Sequence, residues 1–391
     1  MAKTFDVAVI GAGPAGGSAA LHSQKNGLNT LIIEEHQEIG VPVHCGECLS
    51  DVAIKKFNFN IPKKVIAKDV KGVRVVFPDR TAPVLSEDGY VLEKHLWEQW
   101  IAEQAVNEGA QLELNTRVSD LQRQNGKWKI KAGEKEFEAK VLIDASGVQS
   151  FSSSKLGLNE KRFDAVIGIQ YEMLDVKTDG YLDFYLWPKL SPHGYCWMIP
   201  KNDGRANVGL VTNEKNKAKA FLDEFIKEPE FAGKKIVKTF GGLIPSSGPL
   251  PKTFSEGLML VGDAAGFTSP VFEGGSHLGL MSGKFSADVA KKAVEKNDFS
   301  LQAMSEYEQL WKAEFPPYAK IIQGRDALYG LSDDELSALG RALPGELHNL
   351  SLADKISTGL KLLFHKPSVL AKGIRPIARA FSYSQARYYG W

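Results

Sequence analysis

The chain has 391 residues, 43% of them apolar, with 48 Lys or Arg against 47 Asp or Glu. A net charge of +1 excludes a strongly basic, dedicated nucleic-acid binder, and three cysteines cannot build a secreted disulfide framework. No window approaches the roughly 18 apolar residues of a membrane span. MAKTFDVAVIGAG reads straight into a strand, with no charged n-region and no cleavage site, so no leader is expected. The expectation is a cytoplasmic protein able to sit peripherally on the inner face of the cell membrane.

The run Phe5–Ile10 (FDVAVI) reads as a short buried strand, and GAGPAG follows at once, with Gly11, Gly13 and Gly16 in the G-x-G-x-x-G spacing. Pro14 to about Asn26 reads as a helix whose Ala15, Ala19 and Ala20 suit close packing on a sheet. A second strand, Thr30–Glu34, ends in an acid 23 residues after Gly11 (34 minus 11), the right distance to accept hydrogen bonds from a ribose hydroxyl. The glycines provide a tight turn, close backbone approach to a pyrophosphate, and close helix–strand contact. The helix N-terminus offers unpaired N–H groups to the phosphates. Dinucleotide binding follows, and the motif's position at the extreme N-terminus favours FAD over NAD.

Next comes HCGECLS, His44 to Ser50, which places Cys45 and Cys48 three apart in a chain with one other cysteine. A zinc half-site, a redox pair and a loop against a cofactor all fit the spacing. Zinc is the weakest reading, because His44, Cys45 and Cys48 lack a fourth ligand and no second cysteine pair exists.

Residues 58–90 and 165–250 alternate like strands, and aromatics gather there. Tyr185, Trp187, Tyr195 and Trp197 could wall a channel for a long apolar chain, although an aromatic stripe is as readily core as pocket. No second G-x-G-x-x-G is present for a nicotinamide cofactor.

Near residue 260 the chain reads GLMLVGDAAGFTSPVFEGGSHLGLMSGKF. Leu258–Val261 is a strand, and a long helix is expected from about Gly274 to Val294 with Gly275, Gly279, Ser282 and Gly283 inside it. Each glycine costs nearly 1 kcal/mol relative to alanine, so a flat cofactor or another backbone must approach closely. The final ninety residues look helical. From Lys355 to Trp391 there are seven Lys or Arg, no Asp or Glu, and interleaved Leu and Ile, as suits an anionic membrane surface or a solvated cationic face.

These segments carry a resemblance. Gly262-Asp263-Ala264-Ala265-Gly266 with Pro270, and the Asp144–Gly147 segment DASG, resemble the para-hydroxybenzoate hydroxylase-like flavoproteins, though the arginine usually found after Gly147 is missing. Within that superfamily the chain resembles the geranylgeranyl reductases over about residues 5–295. Cys45-Gly46-Glu47-Cys48 is similar to their C-G-E-G segment. Pro192, Tyr195, Trp197, Pro200, Asn207, Val208 and Gly209 match their P-x-x-Y-x-W-x-F-P and N-V-G motifs, with Ile199 in place of phenylalanine.

The resemblance implies an FAD lined by Gly11, Gly13, Ala15, Gly16, Glu34, Cys45, Gly46, Cys48, Lys94, Val118, Asp263, Gly275 and Ser276. Lys94 stands where the family has arginine and Cys48 where it has glycine. Tyr185, Trp187, Tyr195, Trp197 and Pro270 are the substrate candidates, and Cys45 the catalytic one, as proton donor or shaping residue. The fold expected is α/β with an α+β insert. A Rossmann-like FAD-binding domain (1–57, 91–164, 251–298) would hold an inserted antiparallel-sheet substrate domain (58–90, 165–250), followed by a helical C-terminal region (299–391).

The function implied is FAD-dependent saturation of C=C bonds in geranylgeranyl chains, of archaeal-type digeranylgeranylglycerophospholipids or geranylgeranyl diphosphate. Its partners would be the geranylgeranylated lipid, an electron donor such as ferredoxin or a reduced nicotinamide, and an anionic membrane surface. Neither metal nor nucleic acid is called for. The rival readings are a flavin monooxygenase and an electron-transfer flavoprotein reducing quinone.

Overall fold

In the computed structural model, which describes residues 3–391, the strand Lys3–Ile10 pairs in parallel with Thr30–Ile33 on one side and Lys135–Asp144 on the other. Met1 and Ala2, the start of the first expected FAD segment, lie outside the described residues. Leu258–Leu260 and Gln111–Glu113 extend this parallel core, and the hairpin Val118–Gln124/Lys127–Ala132 with the short antiparallel edge strand Phe254–Ser255 brings the sheet to eight strands. Val7, Val9, Leu142 and Ile143 are fully buried, as expected for parallel strands covered on both faces.

The helix Pro14–Lys25 crosses the helix Ser276–Lys296 at close range. A Cβ on Gly283 would lie 2.4 Å from the Ala15 carbonyl oxygen, and Ser18 Oγ donates to the Leu280 carbonyl at 2.7 Å. The glycines of the second helix thus divide the work. Gly283 admits a neighbouring helix, whereas Gly275 and Gly279 line a cavity. That helix begins at Ser276 rather than Gly274, because Gly275, at φ −130° and ψ −19°, is its non-helical N-cap.

A second sheet has seven strands in the order Ile236–Pro245, Ala165–Met173, Ala206–Thr212, Tyr195–Pro200, Leu182–Tyr185, Val73–Val76, Val84–Leu85. It is antiparallel except for one parallel pair, Val73–Val76 with Leu182–Tyr185. Cys48–Ser50, Gly89–Leu92 and Ile66–Val70 form a separate three-stranded sheet, and Gly89–Leu92 straddles the boundary expected at residues 90–91.

The C-terminal region is helical, with Leu301–Glu314, Tyr318–Tyr329, Asp333–Ala342, Leu352–His365 and Pro367–Tyr383 as its main helices. Gly373, at φ +122°, kinks the last of these ahead of Pro376. The chain then returns, so that Trp391 lies against Gly89 and Gly274, and its indole donates to Glu87. Among the described residues no helix is long and apolar enough to cross a membrane.

Candidate active site

A cavity of about 620 Å³ runs between the parallel sheet and the seven-stranded sheet, within the roughly 300–1,000 Å³ typical of cofactor sites. At one end lies the glycine turn. Gly11 has φ +93°, and a Cβ there would come 2.5 Å from the Ala145 carbonyl oxygen. A Cβ on Gly16 would sit 2.0 Å from the Gly11 carbonyl oxygen. Gly13 differs: a Cβ there would meet nothing within 4 Å and would project into open space at the cavity wall. The helix after it has no side-chain cap, which leaves backbone donors for a pyrophosphate.

Glu34, 6% exposed, closes this end. Its Oε2 accepts from Ala12 N at 2.8 Å, and its Oε1 accepts from His36 N at 2.9 Å and contacts His36 Nδ1 at 2.6 Å. A carboxylate offers about four acceptor positions, so one remains for a ribose hydroxyl. Val118, Thr116 and Arg117 border the same end.

Beside the glycine turn, where a Cβ on Gly262 would come 2.8 Å from the Ala15 Cβ, the Gly262–Ala265 turn presents Asp263, whose Oδ1 accepts from Thr268 Oγ1 at 3.0 Å. Burial pushes the Asp263 carboxyl above its usual range. Gly275 and Ser276 open the next helix beside it, again with no side-chain cap. Small residues, a buried acid and two free helix N-termini along one elongated cavity fit an FAD.

The cysteine loop is held by Glu47, a left-handed residue at φ +75° and 2% exposed. Its Oε2 accepts from Lys201 Nζ at 2.8 Å and from Asn207 Nδ2 at 2.6 Å, while its Oε1 accepts from Lys94 N at 3.0 Å. A second tether runs from Trp197 Nε1 to Gln170 Oε1 at 3.0 Å, and from Gln170 Nε2 to the Cys45 carbonyl at 2.8 Å. His44 Nδ1 contacts the Gly241 carbonyl at 2.6 Å. Trp197 and Asn207, singled out by the Y-x-W and N-V-G motifs, therefore hold the loop.

Cys45 and Gly46 line the cavity; Cys48, at the start of its strand, does not. Both thiols are free. Burial raises both above the ordinary thiol range, so neither is a thiolate at neutral pH. Among the described residues no cluster of three or more His, Cys, Asp or Glu could hold a metal. Lys94 borders the cavity with its ammonium paired to Glu98. Burial opposes its charge, but the Glu98 and Glu47 carboxylates outweigh burial and hold it protonated.

Sequence reasoning missed Glu273. It lies in the cavity wall in left-handed backbone (φ +44°), after the equally left-handed Phe272. Its carboxyl contacts Tyr195, its Oε2 has no partner, and burial raises its pKa to about 8. The available signal was an acid set between apolar SPVF and a glycine pair, in a segment otherwise without charge.

Tyr185 and Trp187 stand apart from the cavity. They pack on Phe225 on the far face of the seven-stranded sheet, and Trp187 Nε1 donates to the Phe77 carbonyl. Alternation along the strand puts Phe184 on the near face and Tyr185 on the far one. Tyr195 sits behind the wall between Trp197 and Phe272. Pro270 is buried and, like Gly16, supports the cavity from outside its lining.

Two family models match the chain, one described as FAD dependent oxidoreductase over residues 6–149, the other as geranylgeranyl reductase catalytic domain over residues 164–244. The digeranylgeranylglycerophospholipid reductase of Methanocaldococcus jannaschii is 34% identical over 383 residues, covering 94% of this chain and 96% of that protein. The reductase of the same name from Thermoplasma acidophilum is 36% identical over 361 residues, with 86% and 91% covered. A solved geranylgeranyl bacteriochlorophyll reductase-like protein from Thermoplasma acidophilum gives a TM-score of 0.87 at 32% identity, covering 96% of this chain and 100% of that one. A halogenase in complex with phloroglucinol and FAD, 16% identical with a TM-score of 0.72 over 99% of this chain and 87% of its own, shares the fold alone. The chain belongs to the digeranylgeranylglycerophospholipid reductase family of FAD-dependent oxidoreductases.

Proposed function

We propose that the protein reduces isolated C=C bonds in the geranylgeranyl chains of digeranylgeranylglycerophospholipids. The observation that carries this reading is that the cofactor cavity and the apolar near face of the seven-stranded sheet are one space, with Cys45, Trp197 and Ile244 in the same wall as Gly13 and Gly275. When bound in its reduced form, FAD supplies the hydride equivalent that saturation of an alkene requires.

The protein's own residues do the rest. The Gly11–Gly16 turn, Glu34, Lys94, Val118, Asp263, Gly275 and Ser276 bind and orient the cofactor. The Cys45 loop, clamped by Glu47 and Gln170, shapes the space beside it. An unactivated alkene has no carbonyl to take up charge, so a proton must be delivered to one carbon by a group in the wall. Two protonated groups are available, the Cys45 thiol and the Glu273 carboxyl. Glu273 is the stronger acid, because burial leaves it near 8 whereas burial carries the thiol above its ordinary range. Trp197 adds an aromatic face on which developing positive charge is stabilised.

A ferredoxin-like protein or a reduced nicotinamide, docking transiently, would renew the reduced cofactor, and the enzyme would work peripherally at the inner face of the membrane where its substrate resides. The test is anaerobic: protein reduced by dithionite and freed of excess reductant should regain its oxidised flavin absorbance when a geranylgeranylated glycerophospholipid is added. A flavin that stays bleached would overturn the proposal.

A further inference from the structure

We infer that the outward face of the helix Leu352–His365 docks the enzyme on an anionic lipid bilayer, an inference that rests on the reading of the substrate as a membrane lipid. Leu352, Ile356, Leu360, Leu363 and Phe364 are each at least 50% exposed, Leu352 at 74% and Phe364 at 79%. Residues three and four apart share a helix face, so the spacing 352, 356, 360, 363, 364 makes one continuous apolar stripe. It is not the face that holds the helix to the protein. Thr358 and Leu362 are the buried residues, and they point the opposite way. The capping box of Ser351 and Asp354 secures the helix start without burying it.

Charge selects the occupant. At 3.6 residues per turn Lys355 and Lys361 fall on the two flanks of the stripe, and both are exposed. Arg375, Arg379 and Arg387 are exposed further along, whereas Lys372 is paired with Glu335. No Asp or Glu occurs from residue 355 to residue 391 in a chain whose overall charge is only +1. A second copy meeting this face about a twofold axis would bring the two lysines against their own counterparts. An apolar stripe between cations instead matches a bilayer surface, with the side chains entering the headgroup boundary and the lysines meeting lipid phosphates.

The experiment is flotation of the full-length, FAD-loaded protein with phosphatidylglycerol/phosphatidylcholine vesicles and with phosphatidylcholine vesicles. Flotation with the anionic vesicles is expected, reduced at high salt, and at least tenfold weaker for the triple variant Ile356→Ser, Leu360→Ser, Phe364→Ser. The charge variant Lys355→Glu, Lys361→Glu leaves the stripe intact and is expected to lose selectivity for the anionic vesicles. Absence of flotation at low salt, or triple-variant binding equal to the parent, would overturn the inference. So would a concentration-dependent dimer in sedimentation velocity that the triple variant abolishes while vesicle binding is unchanged. Reduction of a detergent-dispersed substrate is expected to be equal in parent and triple variant. Flotation without any alkene reduction would sink the substrate reading and leave the docking surface standing.

Discussion

Glu47 and Lys201 meet at 2.8 Å with both side chains 2% exposed, and this buried ion pair joins the cysteine loop to the strand that carries Trp197. The loop belongs to the nucleotide-binding half of the molecule and the lysine to the sheet, so the pair fixes the width of the space between them. Removing one partner of a buried pair leaves an uncompensated charge and costs about 3–5 kcal/mol. Lys201 keeps Glu93 at 3.0 Å and Glu172 at 3.7 Å. Glu47→Ala is therefore expected near the lower end, about 3 kcal/mol, with loss of FAD from the surviving protein. Urea unfolding of the apoprotein measures the first effect, and flavin retention on gel filtration the second.

Gly13 offers a cleaner separation of fold from binding. Its φ of −63° and ψ of −175° suit any residue, and a Cβ there meets no protein atom within 4 Å. Gly13→Val is expected to leave the melting temperature of the apoprotein within a few degrees while reducing FAD affinity at least tenfold, or about 1.4 kcal/mol. Fluorescence titration with FAD checks this. Gly16→Ala, which forces a Cβ onto the Gly11 carbonyl, should instead lower the apoprotein's stability.

The Glu273 carboxyl sets a pH dependence. Burial raises its pKa from 4.5 to about 8, so the folded state holds its proton more tightly than the unfolded one. The stability this contributes is complete below about 4.5, declines as pH rises, and is gone above about 8. Turnover should follow the same protonated form and fall as pH rises through about 8. Glu273→Gln cannot donate a proton, and its rate should fall by roughly 10²–10⁴, with the limb near 8 removed from what activity remains. If Cys45→Ser abolished that limb and Glu273→Gln preserved it, the proton would belong to the thiol.

The two faces of the seven-stranded sheet should respond differently. Trp197→Phe removes the indole donor to Gln170 and loosens the tether on the Cys45 carbonyl. Its kcat/KM for the lipid is expected to fall about tenfold, equivalent to about 1.4 kcal/mol of transition-state stabilisation. Tyr185→Phe acts on the far side against Phe225 and should leave kcat/KM unchanged. Steady-state kinetics with a dispersed substrate distinguishes them.

The glycine turn and the Gly262-Asp263 turn are legible in the sequence because each relies on backbone that few residues tolerate, and Glu34 because it directly follows the second strand at a fixed distance from the first turn. Gly11 and Gly262 both have positive φ. Facing is another matter. Leu182–Tyr185 and Tyr195–Pro200 are buried along their whole length, so alternating hydrophobicity cannot tell the cavity face from the far face, and Tyr185 and Tyr195 look alike. The three-stranded sheet escapes for a different reason: its strands come from residues 48–50, 66–70 and 89–92, and no local pattern announces which will pair. Glu273 escapes because its role arises from burial and from Tyr195, 78 positions away (273 minus 195), rather than from any spacing.

Saturation of the lipid chains requires that electrons leave this protein into an isolated alkene. Lipid mass spectrometry after anaerobic incubation of the reduced, FAD-loaded protein with a geranylgeranylated glycerophospholipid tests it most directly. The expected result is a gain of two hydrogens per double bond, absent in a flavin-free control. An unchanged lipid mass in the presence of fully reduced, correctly bound FAD would show that the alkene does not accept these electrons.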